Sequence, residues 1–163
     1  MRGPQVFAGY WGCDDQPFTD DGWLLTGDLV VMDADGFFTV VDRKKDVVIT
    51  GGINVWPSEV EAVLSSLPGV LDCAVVGVPD QHLGERVTAF VVRAPGSAVT
   101  EDDVLAHCAG HLARSKVPRS GEFREDLPRS PVGKVRRRLL AEQEAAAATT
   151  DGAGRKTSGP GGR

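Results

Sequence analysis

Lys134 stands in the segment Pro128-Arg-Ser-Pro-Val-Gly-Lys134, a setting that suits an electrostatic catalyst. Pro128, Pro131 and Gly133 work against regular pairing, so the sequence predicts a loop whose lysine is free to reach outward. An ammonium on a long stem can neutralise a carboxylate oxygen and a phosphate oxygen together as charge redistributes between them. Removing such a donor costs a reaction on the order of 10²-fold or more. The plainer reading is an exposed lysine ahead of a helix. A Walker loop does not apply, because it needs four residues between its glycines and Ser or Thr after the lysine, whereas Val135 follows here.

A second set of candidates lies about ninety residues earlier. Asp28 follows Thr26-Gly27, where a short carboxylate can present both oxygens to vicinal hydroxyls such as those of ribose; the alternative is a plain turn aspartate. Arg43 lies after the next hairpin and can bring a planar fork to the same hydroxyls or to a phosphate, or simply be a surface arginine. Lys44-Lys45-Asp46 is a polar run between two apolar strands. It can change φ and ψ in water without exposing core, or serve as an ordinary charged turn. Gly51-Gly52 permits close approach of backbone to a ligand, or supplies a turn that needs positive φ.

The elements that must position these residues can be read from periodicity and punctuation. Trp23–Leu25 reads as a short strand. Leu29–Met32 and Phe37–Val41 read as a hairpin about Asp33-Ala-Asp-Gly36, and Val47–Thr50 as a strand closed by Gly51-Gly52. Pro57 opens a helix carrying Val60, Val63, Leu64 and Leu67 on one face, stopped at Pro68-Gly69. Leu71–Val78 and Val87–Val92 are β-branched and apolar, as central strands are. Thr100 caps a helix with an acidic first turn, a strand is predicted near 121–125, and a last helix over 135–144. Gly84-Glu85-Arg86, ahead of the second central strand, reads as structural. The fold class is α+β: a small C-terminal domain of a short sheet packed with helices (45–144), preceded by strands left over from the end of a larger body (1–44). The opening segment carries no capped start, as though continuing from that body. The tail 145–163 lacks an apolar period and is expected to be disordered.

Composition narrows the function. With 163 residues and a net charge of −5, nucleic acid is not the expected partner, since phosphate backbones need a basic face. The stretch from Arg114 to Arg138 is locally basic (Lys116, Arg119, Arg124, Arg129, Lys134, Arg136, Arg137, Arg138), which suits a phosphorylated small molecule or a solvated face. Cys13, Cys73 and Cys108 are odd in number and scattered, so neither a disulfide framework nor a structural zinc site is supported, and a cytoplasmic setting fits. His107, Cys108 and His111 cluster at helical spacing but lack a third well-placed ligand, so no metal site is expected. No apolar run is long enough for a membrane span.

Taken together, Thr26-Gly-Asp28, Asp42-Arg-Lys-Lys-Asp46, Ile49-Thr-Gly51-Gly52-Ile-Asn-Val-Trp-Pro57-Ser-Glu59-Val-Glu61 and Pro128–Arg138 closely resemble the end of an adenylate-forming acyl-CoA synthetase. That superfamily also holds peptide-synthetase adenylation domains and luciferases. The resemblance implies that Asp28 and Arg43 hold the ribose of ATP and of the acyl-adenylate. It implies that Lys45 is the hinge between an adenylating and a thioester-forming pose, that Gly51 and Gly52 line the CoA tunnel, and that Lys134 is the adenylation lysine. It further implies ATP, CoA and Mg²⁺ as cofactors, with the Mg²⁺ ligands elsewhere, a carboxylic acid as substrate, and a separate N-terminal ligase domain as partner. Covering residues 3–143, it leaves out the phosphate loop and the acyl pocket. Ser115 stands where the family usually has an aromatic residue, with some loss of packing against the lysine loop. Three functions remain open: part of an acyl-CoA ligase, an adenylation piece loading a carrier protein, and a non-catalytic binding module. The wording Ile-Thr-Gly-Gly favours the first over the second.

Overall fold

The computed structural model describes residues 1–153, which fall into two compact units, Met1–Lys45 and Asp46 onward. The first is organised by one antiparallel hairpin, β1 (Asp28–Met32) with β2 (Phe38–Arg43). Asp33 makes the turn: its Oδ1 accepts from the amides of Asp35 (3.0 Å) and Phe37 (2.9 Å), and Gly36 takes the positive φ of +86° that closes it. The short strand expected at 23–25 is reduced to a single bridge between Phe18 and Leu24. Val30, Val31, Met32, Phe37, Phe38 and Val40 are all exposed, so the hairpin has little core of its own. A two-stranded hairpin of this kind is marginal by itself in water.

The second unit carries the hydrophobic core. Its sheet runs in the order β4 (Ile53–Val55), β3 (Val48–Thr50), β6 (Gly84–Arg93), β5 (Val70–Asp80), with β7 (Ser120–Arg124) paired parallel to β6. Strand alternation then sorts the side chains. Val75, Val87, Ala89 and Val91 meet Val60 and Leu64 of α1 (Pro57–Ser65) and Val104 and Cys108 of α2 (Glu101–His111). Ala74, Val76, Val78, Phe90 and Val92 meet Leu127 and Leu140, the latter from α3 (Arg137–Ala153). A fully buried Val, Leu or Phe contributes roughly 1.5–3 kcal/mol by its removal from water, so this double-faced ladder dominates the fold.

Local chemistry starts and stops the helices. Pro57 sits in the first turn of α1, and Ser66 Oγ donates to the Val63 carbonyl (2.6 Å) at its end. In α2, Thr100 Oγ1 accepts from the Asp103 amide while the Asp103 carboxylate accepts from Thr100 N–H, a reciprocal capping box; the Thr100 hydroxyl, then its N–H, by donating to that carboxylate hold the Asp103 carboxyl below its ordinary pKa. Two expectations differ from the structure. The strand β4 was not foreseen, because three residues after Gly51-Gly52 are too few for a period. The last helix begins at Arg137 and runs to Ala153, through part of the segment expected to be disordered; the remainder, 154–163, lies outside the described residues. Buried Glu144 and partly buried Ala145 account for that continuation, since both face the sheet.

On that face four charged groups meet. Arg86 Nη2 donates to Glu144 Oε1 (2.7 Å) and Arg124 Nη2 to Glu122 Oε2 (2.9 Å), while the Arg124 Nε is buried without a hydrogen-bond partner among the described residues. A hydrogen bond that protonated Glu122 donates to Glu144, then burial, raise the Glu122 pKa above that of a free glutamate, against the lowering pull of Arg124. A raised folded-state pKa contributes stability below the unfolded value and loses it as pH rises through the folded value. Glu122→Gln, which keeps the hydrogen bond without the charge, is therefore expected to flatten the fall in stability above the ordinary glutamate range. Denaturant titrations across pH 4–8 check this, and a parallel pH profile for variant and parent would contradict it.

Candidate functional site

Asp28 and Arg43 are ladder partners at the open end of the hairpin, and Arg43 Nε lies 3.1 Å from Asp28 Oδ1. The side chains are 26% and 49% exposed, so the pair is solvated and adds little to stability. It does orient the groups. With Nε turned to Asp28, the terminal nitrogens of Arg43 make no hydrogen bond among the described residues. Gly27, at φ +75°, passes its carbonyl to the Lys44 amide (2.8 Å), which closes the end of the hairpin. Thr26, Gly27, Arg43, Lys44 and Lys45 line a cleft of about 470 Å³. An arginine fork at the mouth of such a cleft can take an anion or a pair of hydroxyls. Lys45 lies in a short 3₁₀ turn, Lys44–Asp46, with no buried residue.

In the second unit, Thr50 pairs with Ile53 across Gly51 and Gly52, at φ +55° and +79°. Both central residues are thus left-handed, as a two-residue type I′ hairpin requires. The Gly51 amide donates to the Leu83 carbonyl (2.9 Å), and a Cβ on Gly52 would meet nothing within 4 Å. Glu85 secures the strand that leads into this turn: its Oε2 accepts from the Ile49 amide (2.7 Å), and its carboxylate lies where a Cβ on Gly77 would be. A cleft of about 190 Å³ beside the turn is lined in part by Ser115, Leu83 and Val117. The space beside Ser115 thus faces the glycine turn, and no residue of the lysine loop lines it.

The lysine loop is more ordered than its prolines suggest. Arg129 and Val135 form an antiparallel bridge, Ser130 N donates to the Lys134 carbonyl and Gly133 N to the Ser130 carbonyl (both 2.8 Å), and Arg136 N donates to the Pro128 carbonyl (2.7 Å). The expectation that Pro128, Pro131 and Gly133 prevent pairing is corrected here, because both prolines sit where no amide is needed and Gly133 supplies a φ of +79°. Lys134 is exposed, and its ammonium has no hydrogen-bond or ion-pair partner among the described residues. Its basic neighbours differ. Lys116 pairs with Glu59, Arg124 with Glu122, Arg129 with Asp72, Arg137 with Glu61 and Asp46, and Arg138 with Glu142. Much of the basic stretch is therefore structural.

The remaining candidates are also occupied. His107 Nε2 lies 3.0 Å from Ser66 Oγ and 3.1 Å from the Val63 carbonyl, and so ties α2 to the end of α1; His111 Nδ1 contacts the His107 carbonyl at 2.8 Å. Cys108 is buried in the core and its thiol is pushed up to about 11 by burial, while burial also raises Cys73, so neither is a ready nucleophile at neutral pH. Among the described residues no group of three His, Cys, Asp or Glu could hold a metal ion, and no helix is long and apolar enough to cross a membrane. Sequence reading placed Arg129 only within the basic stretch and missed its partner Asp72.

Fold and motifs define the class: the second unit has the fold of the C-terminal domains of adenylate-forming enzymes. Residues 59–134 match the AMP-binding enzyme C-terminal domain family, and the chain aligns with the C-terminal part of acyl-CoA ligases. It is 47% identical over 155 residues to a long-chain-fatty-acid–CoA ligase of Yersinia pestis, covering 94% of this chain and 27% of that protein. It is 47% identical over 149 residues to a Rhodococcus jostii CoA ligase for a methyl-dioxo-octahydroindenyl propanoate, covering 88% and 28%. The chain thus spans about a quarter of the length of these relatives. ATP-bound MatB from Rhodopseudomonas palustris superposes with a TM-score of 0.86 at 43% identity, over 90% of this chain and 30% of that one.

The glycine turn gives a direct check on this geometry. Gly51→Ala forces an L-residue into the left-handed region at a cost of about 1–2 kcal/mol. Gly52→Ala should cost a similar amount even though the space above it is open. Denaturant unfolding of the two variants tests this, and parental stability in both would contradict a type I′ turn.

Proposed function

We propose that this chain is the C-terminal part of an ATP-dependent acyl-CoA ligase. In this reading the whole enzyme joins a carboxylate to AMP with release of pyrophosphate, and the CoA thiol then displaces AMP to give acyl-CoA. The observation that carries the proposal is the exposed Lys134 ammonium, unpaired among the described residues, on an ordered loop whose basic neighbours are mostly committed to ion pairs. Such a group can stabilise charge on the carboxylate and α-phosphate oxygens as they join, where a paired lysine could not.

Asp28 and Arg43 fit a ribose: Arg43 lines the cleft with its terminal nitrogens unpaired among the described residues, and the Asp28 carboxylate stands against its Nε. Gly51 and Gly52 fit the passage of a pantetheine arm, since the turn offers backbone without side chains. The described residues do not fit a Mg²⁺ site, and in this reading the metal's ligands belong to the rest of the enzyme. Lys45 is the proposed hinge. In support, the Lys44–Asp46 turn buries no residue and the first compact unit ends at Lys45. The exposed apolar faces of β1 and β2 support an N-terminal ligase body as partner. Equal identity to a fatty-acid ligase and to a ligase for a bicyclic propanoate supports an acyl pocket that lies outside this segment. A cytoplasmic location suits a reaction that consumes ATP and CoA.

The test is the two half-reactions of the chain joined to an N-terminal ligase body. Lys134→Ala is expected to lower acyl-adenylate formation on the order of 10²-fold or more while sparing thioester formation from supplied acyl-adenylate. Equal losses in both steps, or none, would overturn the assignment of Lys134.

A further inference from the structure

Beside the apolar packing of Val135, one polar side chain ties the lysine loop to the sheet. Arg129 Nη1 donates to the Gly133 carbonyl (2.7 Å), which immediately precedes Lys134, and Arg129 Nη2 donates to Asp72 Oδ2 near the start of β5. Asp72 is itself fixed, because its Oδ1 accepts from the Cys73 amide (2.9 Å) and its backbone is paired with Val92 of β6 just beyond a register shift. The guanidinium therefore spans three parts of the chain: the loop's first strand that carries it, the residue before Lys134, and the core ladder.

We infer that Arg129 is a positioning residue which, with Asp72, holds the Gly133–Lys134 backbone against β5, so that the Lys134 side chain starts from a fixed point. This rests on the adenylation role proposed for Lys134. The physical need is plain. A lysine side chain has four flexible bonds, and if its Cα were also free, the ammonium would sample many places and hold none; a misplacement of about 1 Å can cost 10²-fold in rate. The internal hydrogen bonds of the hairpin fix the loop's shape but not its placement. Arg129 is suited to fix placement because its planar fork can serve two acceptors at once, which a lysine ammonium does with less directional constraint.

Amide hydrogen exchange on the 163-residue chain tests the clamp without reference to catalysis. Arg129→Ala is expected to speed exchange at Ser130, Gly133 and Arg136 by about tenfold or more, with Val75 and Val91 in the central strands unchanged. Unaltered loop exchange would overturn the clamp. Should Arg129→Ala loosen the whole unit, Asp72→Asn keeps the shape and removes the charge; it must then speed the loop amides alone, and uniform acceleration in both variants would also overturn the proposal. In the chain joined to an N-terminal ligase body, Arg129→Ala is expected to lower acyl-adenylate formation up to about 10²-fold with thioester formation spared, and Arg129→Lys to recover part of it. Equal loss in both steps would show a merely structural role. Lys134→Ala, run beside it, separates the two ideas: full adenylation by that variant would remove the role of Lys134 while leaving the exchange result standing.

Discussion

The second unit depends on the antiparallel ladder between β5 and β6. Its strands are apolar on both faces, so neither face can be left to water, and alternation assigns each residue to one side. One face takes α1 and α2; the other takes α3. A shift of one residue in the pairing would exchange Ala74, Phe90 and Val92 for Val75, Ala89 and Val91 and put the wrong volumes under every helix. The candidate residues hang from this ladder at defined points. Asp72 lies near the start of β5, Gly84-Glu85 at the start of β6 holds β3 and its glycine turn, and α3 begins as the lysine loop ends.

Those dependencies bring fully buried residues and exposed ones close together in sequence. Val48, two residues beyond the Lys44–Asp46 turn, is already fully buried, whereas the turn itself buries nothing. A change of backbone angle at Lys45 would therefore be made in water, against a neighbour that does not deform. The same contrast holds at Lys134: an ordered hairpin carries a side chain with no partner of its own. Arg137 and Arg138, a few residues later, do pair with carboxylates.

Much of this was legible in the sequence because the signals were local and strong. Val87–Val92 could only be a buried strand, Thr100 to Asp103 could only cap a helix, and Asp33 to Gly36 turned the hairpin as expected. What was not legible was non-local. The loop at 128–136 reads as irregular from its prolines, yet it pairs because the amides those prolines lack are not needed. Arg129 and Asp72 are 57 residues apart and meet only once the sheet forms, and Glu144 looks like a helix end until Arg86 and Glu122 are found beneath it. The basic stretch was ambiguous for the same reason, since its carboxylate partners Glu59, Glu61 and Asp72 come from distant elements.

The central claim is that one chain serves two steps by turning about Lys45, and the most direct measurement fixes that turn. Lys45→Pro locks φ near −65° and removes an amide proton, so at most one of two backbone arrangements survives. With the chain joined to an N-terminal ligase body, acyl-adenylate formation and thioester formation would each be followed in a single turnover. The account predicts that one step stays near the parental rate while the other falls steeply. Both steps unchanged, or both lowered alike, would contradict it.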